Sequence, residues 1–259
     1  MNSFFKMPTF FLFVLVFTLI FLCNWLGYRY RKRQMQKFPD RVKEKMSSVE
    51  GSILGLLGLL LGFTFSVAVT KFEARRHLII DEANIIGTTI LRADLYPDSV
   101  RSVLRTDLKQ YLESRIAYYK AGTDKGKINE EVLRGEMISD KIWKTVAFHS
   151  HNEEYRVRSM QMIPKVNEMI DIAVARDASR LASVPPLVLW TLLFLLVASS
   201  FLLGSDYDGK KRNIVLLVGY ALVMSLTINL ISELNHPREG LINLDEAEKK
   251  IEDLRKMFA

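Results

Sequence analysis

Four uncharged runs of apolar residues constrain this chain more than anything else in it. A hydrocarbon core about 30 Å thick is crossed by about 20 helical residues at about 1.5 Å each. Residues 8–28, 51–70, 185–204 and 213–232 meet that length without one Asp, Glu, Lys, Arg or His. In lipid a backbone must satisfy its own N–H and C=O groups, so each run is expected to be a helix. The first run is too long for the apolar part of a secretory leader and lacks a small-x-small cleavage pattern. It ends on Arg29-Tyr30-Arg31-Lys32-Arg33, and is therefore expected to be a retained span.

Charge is segregated from these runs. The 259 residues carry a formal net charge of +7, and residues 29–45 hold eight bases against Asp40 and Glu44. A nucleic-acid binder shows a basic face on a folded domain; a basic knot beside an apolar run marks membrane topology instead. No nucleic-acid partner is expected, and the partners implied are the bilayer and small ions. With 49% hydrophobic residues beside 25% charged ones, a soluble cytosolic enzyme, a collagen-like chain and a disordered chain are disfavoured. Cys23 is the one cysteine, so no disulfide forms within the chain.

Short loops set orientation. Eight Lys/Arg lie between the first two spans and three, Lys210, Lys211 and Arg212, between the last two. Both loops belong in the cytoplasm by this rule, which puts both termini and the long middle segment outside. Lys71, Arg75 and Arg76 argue mildly the other way.

The middle segment is helical by pattern. Ile79, Ala83, Ile86, Ile90 and Ala93 repeat at 4-3-4-3, so the second span is expected to continue as one long helix towards Pro97. A second helix is expected over 98–120, with Val100, Leu104, Leu108, Tyr111 and Tyr119 near one face, and 121–127 as a loop. A third begins near Asn129 as its cap, carrying Val132, Met137, Ile138, Ile142 and Val146. Pro164 suits the first turn of a helix running to Ser183. Asn243 with Glu246 resembles a capping box opening a short tail helix. The fold class is an all-α membrane protein with four transmembrane helices: a first membrane pair (1–70), a helical extramembrane body (71–184), a second pair (185–232) and an amphipathic tail (233–259).

Two stripes could carry function. On the second span, Gly58, Gly62, Ser66 and Thr70 are each four apart, with Gly51 and Gly55 before them. Such a stripe either packs helices closely or lines a pore, where Phe63, or Phe65 on another face, would form a narrow apolar ring. On the fourth span, Ser225, Asn229, Ser232 and Glu233, with His236, make a second polar stripe that either bonds between helices or lines the same conduit. His149, His151, Glu153 and Glu154 lack metal-ligand spacing, and Asp81-Glu82 and Arg92-x-Asp94 are expected to form surface or intersubunit pairs. No nucleotide-binding, hydrolase or zinc-protease motif is present. No catalytic residue, metal or cofactor is expected.

Several stretches together resemble a family. Leu61-Gly62-Phe63-Thr64-Phe65-Ser66-Val67-Ala68-Val69-Thr70-Lys71-Phe72 is similar to the second-span signature of bestrophins. Val166-Asn167-Glu168-Met169, Val184-Pro185-Pro186-Leu187-Val188 and Leu234-Asn235-His236-Pro237 resemble their elements around spans three and four. The run from Phe72 through Asp81-Glu82-Ala83-Asn84 to Leu91-Arg92-Ala93-Asp94-Leu95, with Pro237-Arg238-Glu239-Gly240-Leu241-Ile242, is closer still to bacterial bestrophin-like domain membrane proteins. The resemblance implies a homo-oligomer, pentameric in bestrophins, that passes ions, anions favoured, through a neck on span two. Gly55, Leu59 and Phe63 stand at the neck positions where the family prefers an isoleucine and two phenylalanines, implying a wider neck or one set elsewhere. The calcium-binding acidic run of animal bestrophins is missing. Bestrophins keep the helical body in the cytosol, opposite to the charge rule. The expected protein is thus a multi-pass channel of the bacterial inner membrane. The alternatives are a membrane-anchored interaction or sensory protein that does not conduct and, less favoured, an enzyme at the membrane surface.

Overall fold

The computed structural model describes residues 9–37, 47–206, 214–238 and 240–258. The sequence features at Pro8, Asp40, Arg41, Lys43, Glu44, Lys45, Lys210, Lys211, Arg212, Asn213 and Glu239 lie outside the described residues. Every regular element described is a helix: α1 Thr9–Lys37, α2 Ser47–Ala93, α3 Asp98–Lys120, α4 Lys125–Ser150, α5 Glu153–Leu181, α6 Pro186–Ser205, α7 Ile214–Asn235 and α8 Asp245–Asp253, then a 3-10 turn, Leu254–Phe258. Helices α1, α2, α6 and α7 hold the four apolar runs and are long and apolar enough to cross a membrane. The chain divides into two compact units, one from residues 1–72 with 183–242, the other from 73–182 with 243–259.

In the first unit, α1 buries Leu12, Val16, Ile20 and Cys23, spaced four and three apart on one face. Leu12, Val16 and Ile20 share a core with Leu57, Leu61 and Ala68 of α2, Leu192 and Leu196 of α6, and Ala221, Ile228 and Ile231 of α7. Helices α1 and α6 approach closely at two glycines. A Cβ on Gly27 would land on the Phe201 carbonyl, and one on Gly204 on the Asn24 carbonyl. The Asn24 amide donates to the Ser200 carbonyl across the same crossing, at 3.3 Å. Two glycines therefore let two backbones touch, the usual device of helix association in lipid. At the end of the span the Arg29 guanidinium lies 4.8 Å from the Trp25 ring centroid and the Lys32 ammonium 6.0 Å from that of Tyr28. Such aromatic–cation pairs suit a bilayer interface. Arg29, Arg31, Lys32, Arg33 and Lys37 ride on the last turns of α1, not in a loop.

In the second unit, the seam Ile79, Ala83, Ile86, Ile90 and Ala93 is buried throughout, and α2 is one unbroken helix to Ala93. Helix α3 has the expected bounds, because Pro97 precedes it and Gly122 follows it in the left-handed region, at φ 58°. Tyr118, not Tyr119, turns fully into the core. Helix α4 starts at Lys125, four residues before Asn129, because Asp124 is the better cap: its Oδ1 accepts from the Gly126 and Lys127 N–H groups at 3.0 and 3.2 Å. Ile142 and Val146 are buried there, but Met137 is exposed. Helix α5 begins at Glu153, capped by Asn152, and carries Pro164 inside it, so that proline is not a first-turn residue; the helix ends at Leu181. Helix α8 opens at Asp245 with Leu244 at the cap, so Asn243 sits one residue too early for a capping box and accepts from the Asp245 N–H at 3.2 Å.

The centre of this unit is charged. Glu82 of α2 is 0% exposed and pairs with Arg115 of α3 and Arg176 of α5; Arg176 also pairs with Glu248 of α8. The Arg115 and Arg176 guanidiniums lie 4.6 and 5.4 Å from the Tyr118 ring centroid. Burial alone would push the Glu82 carboxyl up, but the two guanidiniums overcome it and hold it below the ordinary carboxylate range. The same attraction outweighs burial at Arg115 and holds its guanidinium above its usual range. The surface pairing expected at Glu82 is thus replaced by a buried four-helix network, and Asp94 pairs within the chain with Arg105 at 2.7 and 2.9 Å.

Candidate functional site

Helix α2 has 47 residues, about 70 Å at about 1.5 Å per residue. Its membrane half is two-sided. Leu57, Leu61, Thr64 and Ala68 recur at three- and four-residue intervals and are buried in the first unit's core. Gly55, Gly58, Leu59, Gly62, Phe63, Ser66 and Thr70 are all exposed, Phe63 at 63% and Leu59 at 57%. A Cβ added at Gly51, Gly55, Gly58 or Gly62 would meet nothing within 4 Å. This contrasts with Gly27 and Gly204, where glycine is required by contact. Among the described residues nothing packs against the glycines of the α2 stripe, which is exposed.

The surface it presents is glycine backbone and large apolar side chains, then hydroxyls. The Thr70 hydroxyl donates to the Ser66 carbonyl at 2.9 Å, the i−4 bond that settles a hydroxyl in a helix and leaves its oxygen as an acceptor. The stripe carries no charge between Gly51 and Thr70. Leu59 and Phe63 are its exposed large apolar side chains, and the Ser66 and Thr70 oxygens follow them.

The α7 stripe is turned inward instead. Ser225 is fully buried, and among the described residues its Oγ and the Asn229 Oδ1 have no hydrogen-bond partner. Ser232 is buried, and its carbonyl accepts from the His236 N–H at 3.1 Å. Glu233 is a clamp: Thr9 donates to one carboxylate oxygen, and the Leu241 and Ile242 N–H groups donate to the other at 2.5 and 3.2 Å. Gly240 lies against that carboxylate, and a Cβ there would make the Glu233 side chain shift. Asn235 accepts from the Val184 N–H at 2.9 Å, tying the end of α7 to the double proline that opens α6.

Sequence pattern did not single out Asn24, Gly27 and Gly204, nor the Glu82 network. A signal for the first set existed: Asn24-x-x-Gly27 and Ser200-x-x-x-Gly204 place small or polar residues on one face of each span. Among the described residues no group of three or more His, Cys, Asp and Glu is arranged to hold a metal. His149 lies edge-on to the rings of Phe148 and Tyr155, both at 5.4 Å.

A family model described as the bestrophin-like domain matches residues 14–248. Among solved structures, a bacterial bestrophin homolog from Klebsiella pneumoniae superposes with a TM-score of 0.70 at 13% identity, covering 95% of this chain and 98% of that one. A mutated form of a bestrophin homolog from the same organism gives 0.67 at 12% identity, covering 93% and 99%. No curated protein matches the chain.

Proposed function

Because the chain belongs to the bestrophin-like domain family, we propose that it is an oligomeric ion channel whose pore is lined by the outward stripe of α2. The family supports the general kind of function. The observation that carries the finer reading is the stripe itself, whose glycines need no close neighbour within the chain. Several copies of α2 around an axis would set Leu59 and Phe63 as apolar rings, with Gly55, Gly58 and Gly62 beside them and Ser66 and Thr70 beyond. Five copies, and a preference for anions, are what the resemblance to bestrophins suggests. The uncharged spans are suited to conduction, and the chain is read as a channel, not an enzyme. By the charge rule, the helical body and both termini face away from the cytoplasm of a bacterial inner membrane.

Ion flux from liposomes holding the purified protein, under chloride, potassium and sodium gradients, tests this. Flux that is ion-selective and altered by Phe63→Ala supports the pore. No flux in any gradient from folded, oligomeric protein would favour the other reading, a membrane-anchored interaction or sensory protein. That reading draws on the apolar side chains the second unit leaves exposed, Phe148, Val157 and Met160, which suit a protein partner as well as a neighbouring subunit.

A further inference from the structure

Helix α1 carries its exposed and its buried residues on opposite sides. At about 100° per residue, Phe11, Val14, Leu15, Leu22, Trp25 and Leu26 fall within about 120° of arc, and all are exposed. The opposite face holds Leu12, Val16, Ile20, Cys23 and Gly27, all buried. On a helix that spans a bilayer, an apolar face turned away from the chain's own core meets lipid. Arg29, Lys32, Arg33 and Lys37 continue that outer face. All four are exposed, and they fall within about 140° of arc centred on nearly the same direction. Trp25 and Tyr28 stand at the change from apolar to basic, and their rings hold the Arg29 and Lys32 cations at 4.8 and 6.0 Å. Helix α1 has no Asp or Glu, and among the described residues none of the four bases is in an ion pair. Arg31 differs: it lies about 160° from Arg33, is half-buried, and its charge acts on the buried Glu50 of α2. The acid within the chain thus faces Arg31, and the four outward bases are left to be matched from outside.

We infer that Arg29, Lys32, Arg33 and Lys37 form a binding surface for anionic phospholipid headgroups, continuous with the lipid-covered face of α1. Charge complementarity commits the surface to that partner. Phosphate oxygens of any phospholipid accept from guanidinium and ammonium groups, but a zwitterionic headgroup carries its own cation beside the phosphate. An anionic headgroup does not, and each base just past a span then adds about fivefold to the attraction. Acyl chains lying on the Phe11–Leu26 face hold such a headgroup at the level of Trp25 and Tyr28, which a free anion lacks. The inference is independent of conduction, since α1 presents this face whether α2 lines a pore or packs against a copy. The surface begins within one turn of Gly27, so headgroups that fix the depth of α1 also fix α6, whose backbone meets it there.

The test is native mass spectrometry of the full-length protein from micelles holding equal amounts of phosphatidylglycerol and phosphatidylcholine, read as the ratio of the two lipids retained. The parent is expected to favour phosphatidylglycerol by about tenfold or more, and Arg33→Gln to lose about fivefold of that ratio. Arg29→Gln/Lys32→Gln/Arg33→Gln/Lys37→Gln should lose the preference altogether. Lys109→Gln/Lys125→Gln/Arg156→Gln/Lys250→Gln removes the same charge from four exposed bases of the second unit and should keep it. Added salt should shrink the preference by screening. Size-exclusion elution and melting temperature in lipid-free detergent check folding, and Arg33→Gln alone, one exposed side chain, decides the matter if the quadruple variant does not fold. A parent without preference, an equal loss in both quadruple variants, or a preference that survives removal of the α1 bases would overturn the inference. So would release of phosphatidylglycerol by inorganic phosphate, which would assign the bases to a free anion.

Discussion

Gly27 and Gly204 bring the backbones of α1 and α6 into contact, and each is specified by the space a single methyl group would take. Gly27→Leu or Gly204→Leu forces the two helices apart. A core overpacked in this way loses about 1–3 kcal/mol or more, so a drop in the detergent-solubilised protein's melting temperature is expected for either variant. Gly58→Ala should leave it near the parent value, because nothing lies within 4 Å of the added methyl. At the buried network the sign of the pH effect follows from Glu82. Its carboxyl is held below its ordinary value of 4.5 in the folded protein. The stabilisation is therefore fully present above about pH 4.5 and is lost as pH falls through the lower folded value. Melting temperature followed from pH 7 to pH 3 should fall steeply on the acid side. Glu82→Gln should flatten that limb and cost about 3–5 kcal/mol at neutral pH, by leaving two buried guanidiniums short of a partner. An unchanged acid limb in Glu82→Gln would mean that other carboxylates dominate.

The elements were legible to different degrees, and the differences have local causes. Helix α3 could be bounded because proline stands before it and a glycine in the left-handed region behind it. Helix α4 starts ahead of Asn129, where pattern favours its cap, because Asp124 and Asn129 are both competent caps and only the fold decides which N–H groups are free to be capped. Pro164 sits inside α5, where it removes one helical hydrogen bond; sequence rules favour a helix start there, and packing on both sides overrides them. Glu82 was unreadable for a related reason, since a lone carboxylate on a long helix normally faces water, and its two arginines are 33 and 94 residues away. The outward stripe of α2 was visible in its spacing, but whether this chain packs against that stripe depends on helices far away in sequence. On the pore reading, Gly58→Leu or Gly62→Leu should lower flux by at least tenfold while leaving assembly intact. If conduction persists and only the oligomer is disturbed, the stripe serves packing between copies.

For the whole molecule, family and architecture were carried by the order of spans and a few short motifs, and they agree with the match over residues 14–248 and with the bestrophin fold neighbours. Topology is a separate matter. If the charge rule governs, a membrane-impermeant maleimide should label Thr123→Cys, in the exposed turn before α4, from outside intact spheroplasts. Labelling only after lysis would place the helical body in the cytoplasm. The native Cys23 is buried in a span, so background labelling should be low.

The continuity of α2 has a further consequence, for how such a chain can change length. In its membrane half the helix works as a threaded shaft on which the outward stripe and the buried row of Leu57, Leu61, Thr64 and Ala68 are cut at a fixed angular offset. One residue inserted between Leu57 and Leu61 would turn the rest of that row by about 100°, whereas seven would bring it back to within about 20°. The spacing along this shaft is therefore quantised: single insertions should be excluded, and heptad-sized ones are the smallest that restore the thread almost completely.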